Sequence, residues 1–220
     1  MERPAVIFDF GNVVAFFDYR RACEHFGRSL GMGGDAVLEE LRRRGFSELV
    51  QRYECGALSS REFSQAVCTL AGLDVSHEEF AASWSDIFWL NEPVAALIAA
   101  LRGRGYTLVL GSNTNDLHAT QFRRQFAETL AHFDRLVLSY EVGHIKPAAE
   151  FYHACAAAAG RPPGECVFID DVAENVAGAI AAGLRAVQFR DVDSLVRELE
   201  EHGIQVRGGC GSEMGKSEEN

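Results

Sequence analysis

Asp9, the pair Ser112-Asn113, Lys146 and the pair Asp170-Asp171 are the residues whose types and spacing could do chemistry together. A carboxylate can serve as a nucleophile, and adjacent carboxylates facing it make a hard-oxygen site suited to Mg2+. A serine hydroxyl beside the backbone N–H groups of a helix start forms an anion cradle, and a lysine held before Pro147 adds one ammonium next to it. Nucleophilic carboxylate, divalent metal, Lys and Ser together describe phosphoryl transfer to an aspartate. Taken singly, each has an ordinary explanation: an Asp after a strand forms a turn, and Ser-Asn or Asp-Asp caps a helix. The set gains meaning only if one scaffold brings all of its members to one edge.

The elements around these residues supply such a scaffold. Pro4–Phe8 reads as a buried strand broken by Asp9-Phe10-Gly11-Asn12. After Asn91-Glu92-Pro93 a helix runs to about Arg102, and strands and helices then alternate strictly. Strands are expected over Tyr106–Leu110, Arg135–Leu138, Cys166–Ile169 and Arg185–Phe189, and helices over Asn115–Phe126, Ala148–Ala159, Ala173–Ala182 and Ser194–His202. That alternation means an α/β fold, a Rossmann-like parallel sheet with helices on both faces, whose ligands sit at the carboxyl ends of the strands. Between about Phe17 and Trp89 apolar positions recur at helical spacing without strands, and Ser59-Ser60-Arg61-Glu62 has the form of a capping box. The expected organisation is a core domain of residues 1–15 and 91–206, a small all-helical cap of residues 16–90 inserted after the first strand, and a Gly/Ser/Glu-rich disordered tail of residues 207–220.

Composition limits the partners. The 220 residues are 47% hydrophobic and 24% charged, an ordinary globular balance. Twenty-one Lys+Arg against 32 Asp+Glu give a net charge of −11, which argues against a nucleic-acid surface. The longest apolar runs, such as 94–101, fall well short of the roughly 18 residues of a membrane helix. The six cysteines are scattered without metal spacing and read as reduced thiols, so a cytoplasmic monomer is expected. An acidic protein with an anionic ligand needs a local positive site, which Mg2+, Lys146 and helix N–H groups together provide.

In order and spacing these motifs resemble the haloacid dehalogenase-like hydrolases. Phe8-Asp9-Phe10-Gly11-Asn12-Val13-Val14 stands in place of the family's D-x-D-G-[TV], and Leu110-Gly111-Ser112-Asn113 in place of its Ser/Thr motif. Lys146-Pro147, followed by Glu150 and Tyr152, stands for its lysine motif, and Phe168-Ile169-Asp170-Asp171-Val172-Ala173-Glu174-Asn175 for its acidic motif. The strings Asp9–Val14, Ser112–His118 and Tyr53-Glu54-Cys55-Gly56 are most similar to bacterial α-D-glucose-1-phosphate phosphatases. The resemblance implies an Mg2+-dependent phosphatase of small phosphorylated metabolites, such as glucose 1-phosphate. It makes Asp9 the nucleophile and a metal ligand, with the Gly11 carbonyl and Asp171 as the other ligands. Asp170 and Asn175 support them from behind, and Ser112, Asn113 and Lys146 hold the phosphate.

One position departs from the family. The residue two after the nucleophile, an Asp that gives and takes the proton of the reaction, is here Gly11. The proton donor is therefore unassigned, and substrates with acidic leaving groups, such as anomeric phosphates, are expected to be favoured. His144 is near Lys146 in sequence but reads as a solvated loop residue, and His118 as a helix-surface residue. Phe16, Phe17, Trp84 and Trp89 read as cap core, with room for one of them to face the site. Two rival readings remain: a non-catalytic phospholigand-binding or regulatory protein, kept open by Gly11, and a 2-haloacid dehalogenase, which would need no Asp170-Asp171 pair. A receiver domain uses similar residue types, but there the acidic pair comes first in the chain.

Overall fold

The structure, a computed structural model, describes residues 3–206; the tail expected over 207–220, with Cys210, lies outside them. Five strands form one parallel sheet: β1 (Ala5–Phe8), β4 (Leu108–Ser112), β5 (Arg135–Leu138), β6 (Cys166–Asp170) and β7 (Arg185–Gln188), in the order β5-β4-β1-β6-β7. The chain runs outward from central β1 through β4 to β5, then returns to lay β6 and β7 on the other side. Asp9 thus emerges at the point where the winding reverses, the place at which such sheets bind ligands.

The three central strands β1, β4 and β6 are buried along their whole length because both faces are covered. Ala5, Ile7, Val109 and Phe168 pack with Phe151, Tyr152 and Cys155 of α10 (Ala149–Ala159). The alternate residues Val6, Phe8, Leu108, Leu110, Val167 and Ile169 face the other way. They join α6 (Glu92–Gly103) through Val94 and Ile98, and α12 (Val192–Glu201) through Leu195 and Leu199.

Two boundaries move from expectation in ways that matter. β4 begins and ends two residues later than expected, so Ser112 closes the strand opposite Leu138 instead of following it. Tyr106, expected in that strand, instead turns its hydroxyl to accept from the Gln205 amide. The last helix starts earlier, because Asp191 and not Ser194 is its cap, accepting from Ser194 N at 2.8 Å.

Five helices fill the insertion: α1 (Tyr19–Leu30), α2 (Gly34–Arg43), α3 (Phe46–Glu54), α4 (Ser60–Ala71) and α5 (His77–Ser85). Ser59 with Glu62 and Ser76 with Glu79 form complete capping boxes at α4 and α5. The expectation that strands are absent here is corrected: β2 (Ala15–Phe17) and β3 (Phe88–Leu90) pair antiparallel where the chain leaves and re-enters the sheet domain. Three-residue strands of consecutive aromatics show no period-2 alternation, which hides them in the sequence. Phe63, Phe80 and Trp84 pack together at centroid distances of 5.0–5.9 Å, and this aromatic core is continuous with the sheet's own through Phe88 and Phe10. Among the described residues no helix is long and apolar enough to cross a membrane.

Candidate active site

Three strands deliver the floor of the site. Asp9 follows β1 directly, and its backbone N–H donates to Ile169 O at 2.8 Å, which seats it beside Asp170 at the end of β6. Ser112 ends β4, buried, its hydroxyl making only a long 3.3 Å contact with the Asn113 carbonyl. Gly111 before it is required by packing: a Cβ there would stand 2.9 Å from Cys155 Sγ and 3.2 Å from the Phe168 ring.

Lys146 is the centre of the floor. Its Nζ lies 2.7 Å from Asp9 Oδ1 and 2.6 Å from Asp170 Oδ2, all three groups buried. Burial by itself lowers its pKa, but Asp9 and Asp170 outweigh that and hold it above the ordinary lysine value. The lysine is positioned from both sides. The Asn113 side chain accepts from Lys146 N at 2.8 Å and donates to Lys146 O at 3.2 Å, an amide clamp on its peptide. Behind it Gly178 of α11 (Ala173–Ala181) lets that helix press on Pro147, where a Cβ would meet Pro147 Cβ at 2.7 Å. Asp170 also accepts from Val172 N at 2.9 Å and from Asn175 Nδ2 at 3.0 Å, so its oxygens are committed within the protein.

Asp171 is different. It is half-buried and accepts from Asn12 Nδ2 at 3.1 Å. Asn12 reaches it from a left-handed backbone (φ 56°), a conformation that asparagine tolerates better than most residues. Asp9, Asp170 and Asp171 offer carboxylate oxygens that all lie within 4.8 Å of one another. Burial pushes the Asp9 carboxyl above its ordinary range despite the pull of Lys146, and Asp171 is also raised, chiefly by burial. Three carboxylates against one ammonium leave two formal negative charges on the floor, which a divalent cation would neutralise. Hard oxygen donors with that charge deficit suit Mg2+.

The roof comes from the insertion and the ribbon beneath it. A small cavity of about 50 Å3 above Gly11 is bounded by Ser112 and Asn113 below and by Phe17, Tyr19 and Glu54 above. Phe17 fills the space over Gly11, where a Cβ would come within 2.9 Å of its Cε1. Two neighbours of Glu54 fasten it down. The Tyr53 hydroxyl donates to Asp116 of α7 (Asp116–Gln125), and Gly56 lies so close to the Tyr140 peptide that a Cβ would be 2.5 Å from its oxygen.

Residues 4–183 match the model of the haloacid dehalogenase-like hydrolases. The chain belongs to this family. It is 30% identical over 78% of its length to a D-ribitol-5-phosphate phosphatase of Bacteroides thetaiotaomicron, covering 84% of that protein. It is 29% identical over 94% of its length to a phosphatase of Mycobacterium tuberculosis, covering 99% of it. Among solved structures it superposes on a family enzyme from B. thetaiotaomicron bound to magnesium and inorganic phosphate. The TM-score is 0.72 at 26% identity, covering 86% of this chain and 95% of that one. An L-2-haloacid dehalogenase of Xanthobacter autotrophicus shares the fold alone, with a TM-score of 0.65 at 18% identity.

In this hydrolase the residues picked from the sequence converge in part as expected. Asp9, Ser112, Lys146, Asp170 and Asp171 meet on the floor, and Asn175 braces Asp170. The Asn113 side-chain amide grips Lys146 through its oxygen and one N–H, so it also holds the lysine in place. His144 is exposed. The placing of His118 on the helix surface is corrected. It is buried at the helix–sheet boundary, its Nδ1 3.0 Å from Asn115 Nδ2 and its Nε2 3.1 Å from the Trp84 carbonyl. Those partners require Nδ1 to accept and Nε2 to donate, and burial pushes its pKa down to about 3. Of the four insertion aromatics, Trp84 is core as expected and Phe17 is the one that faces the site, but Trp89 is corrected: it is 43% exposed. Sequence reasoning misses Asn12, Tyr19 and Glu54 as site residues and does not single out Phe17 from the other insertion aromatics. Asn12 and Glu54 lie within motif strings without a role, and nothing local marks Phe17 and Tyr19.

Proposed function

We propose that this hydrolase cleaves small sugar or polyol phosphates, glucose 1-phosphate among them, through an aspartyl phosphate on Asp9. In broader terms it is a hydrolase of phosphoric monoesters that uses Mg2+. The observation that carries the reading is the Asp9–Lys146 contact of 2.7 Å within a cluster of three carboxylates. Both contacts to the Asp9 carboxylate, from Lys146 and from the Phe10 N–H, fall on Oδ1, so Oδ2 meets no donor among the described residues. Asp9 attacks phosphorus, the leaving alcohol departs, and water then cleaves the acyl phosphate to return the carboxylate. Lys146 neutralises the charge that gathers between nucleophile and phosphoryl oxygens, and Ser112 with the neighbouring backbone orients them.

Asp9, Asp171 and the Gly11 carbonyl would hold the metal, with Asp170 reserved for Lys146. When bound, Mg2+ supplies a Lewis acid that draws charge from the phosphoryl oxygens. A dehalogenase attacks carbon and has no use for such a cluster, which sets that rival aside. A polyol 5-phosphate, the substrate in the name of one relative, widens the preference beyond anomeric phosphates. The protein is further proposed to act as a cytoplasmic monomer, in keeping with five free thiols among the described residues.

Hydrolysis of a generic aryl phosphate should require Mg2+, stop in excess chelator and be abolished in Asp9→Asn, whose amide cannot attack phosphorus. Undiminished turnover in either condition sinks the mechanism. A panel of sugar and polyol phosphates then ranks substrates by kcat/KM, and a preference for nucleotides or phosphopeptides would overturn the substrate class.

A further inference from the structure

Cleavage of an alkyl phosphate leaves negative charge on the departing oxygen, and a positioned proton donor there contributes roughly 10²–10⁴ in rate. Gly11 cannot donate, and Phe17 occupies the space into which a side chain at that position would grow. The donor must come from elsewhere. Among the described residues that line the cavity above Gly11, three titrate: Tyr19, His118 and Glu54.

Two of them are disqualified by their surroundings. His118 has both ring nitrogens engaged, by Asn115 and by the Trp84 carbonyl, and burial keeps it neutral. Tyr19 is stacked on Trp84 at 5.1 Å, and burial holds its hydroxyl far above the ordinary phenol range, too weak an acid to cycle. Glu54 is the remaining group. It makes no hydrogen bond or ion pair among the described residues, although it sits at the end of α3 in a half-buried position over the floor. Its neighbours Tyr53 and Gly56 are both seated on the sheet domain, so the carboxyl is held over the site from either side.

We propose that Glu54 is the catalytic acid and base of this enzyme, in place of the side chain absent at Gly11. The assignment rests on the phosphatase reading. As the Asp9 carboxylate forms its bond to phosphorus, the bond to the leaving oxygen breaks and the Glu54 carboxyl proton passes to that oxygen, releasing a neutral alcohol. In the second half, water attacks the acyl phosphate and gives its proton to the Glu54 carboxylate. The P–O bond to Asp9 breaks, inorganic phosphate leaves and both carboxyls return to their starting forms. Burial, with Asp9 adding to it and Lys146 opposing it, pushes Glu54 up to about 7, where both protonation states are populated. Lys146 and Asp9 are the charged groups whose fields reach it, and Tyr19 and His118 line the same cavity.

The test is Glu54→Gln in the full chain with Mg2+, measured on a series of phosphate monoesters of graded leaving-group pKa. Loss of the donor should lower kcat/KM for alkyl phosphates ~10²–10⁴-fold while aryl phosphates with acidic leaving groups lose little. The shallow wild-type dependence on leaving-group pKa should become steep. The basic limb of the kcat/KM profile near neutrality should disappear. A readout other than turnover is the acid-quenched protein: Glu54→Gln should carry phosphate on Asp9 in its intact mass after an aryl phosphate, because the second step has lost its base. Glu54→Asp, which keeps the acid but shortens its reach, should fall between, and guards against a folding defect in the amide variant. Equal losses across the series, a retained basic limb, or a change in KM alone would overturn the assignment and make Glu54 a substrate contact. Failure of the wild type to hydrolyse any ester would instead sink the phosphatase reading itself.

Discussion

At the ends of β1 and β6 the charged side chains are tied to others: Lys146 to Asp9 and Asp170, Asp170 to Asn175, Asp171 to Asn12. The surface facing them is built from Phe17, Tyr19 and the carboxyl of Glu54, which has no partner among the described residues, above an aromatic core. The floor is a closed electrostatic network in which each group fixes the next, and it suits the phosphate, which every substrate shares. The roof is apolar and sparsely polar, so one group there can alternate between protonation states without a competing partner. Preorganised charge belongs where the chemistry is invariant, and a loosely held acid where a proton must come and go.

The largest effect should come from the centre of the floor. Lys146→Met keeps the stem but leaves Asp9 and Asp170 buried beside each other without their cation. Expected are a kcat lower by ~10²–10³ for all substrates alike and a metal-free fold destabilised by about 3–5 kcal/mol. Steady-state kinetics and urea unfolding with and without Mg2+ check both, and a loss confined to some substrates would contradict a shared floor.

Removing the roof's core should do the converse. Phe63→Ala empties a fully buried site stacked on Tyr53 at 4.2 Å, and should cost about 3–5 kcal/mol in thermal or denaturant unfolding. Aryl phosphate turnover at low temperature should survive far better than in Lys146→Met. If both variants lose activity equally, roof and floor are not separable.

His118 joins the two regions and makes the boundary sensitive to acid. Its folded pKa of about 3 lies below the ordinary 6.5, so its contribution is whole above 6.5 and is lost progressively as pH falls toward 3. Asp9 and Glu54, with raised values, act in the opposite sense, since the folded state takes up their protons first. The difference in stability between wild type and His118→Gln therefore isolates the histidine. That difference should shrink between pH 6.5 and 4, and a constant one would mean that His118 is not held neutral by burial.

The smallest effect should be Tyr53→Phe. Losing the hydroxyl's bond to Asp116 should cost about 1 kcal/mol and loosen Glu54, lowering kcat for alkyl phosphates more than for aryl ones. No difference between the two ester classes would separate the tether from the acid.

Most of the floor is legible in the amino-acid sequence. Asp9, Ser112 and Asp170 each end or directly follow a strand, and a strand's end is set by the local apolar run and the polar residue that stops it. Even so, the strand order with β1 at the centre, and the use of the Asn113 side chain as a clamp on Lys146, rest on contacts between residues far apart in sequence. The roof is not legible in the same way. Glu54 lies in one of the strings that carry the resemblance, but the string gives it no role, and it is one of several acidic residues on amphipathic helices. Its burial depends on how five helices pack and where Tyr53 and Gly56 come to rest on the sheet domain. The same holds for Phe17, whose three-residue strand has no alternation to read and whose ring explains why position 11 is glycine. By itself the sequence determined the parallel sheet and the residues that meet at its edge, because periodicity and chain breaks are local. Which side chain closes over them was decided only by tertiary packing, because burial and an unpaired carboxyl are properties of the assembled surfaces.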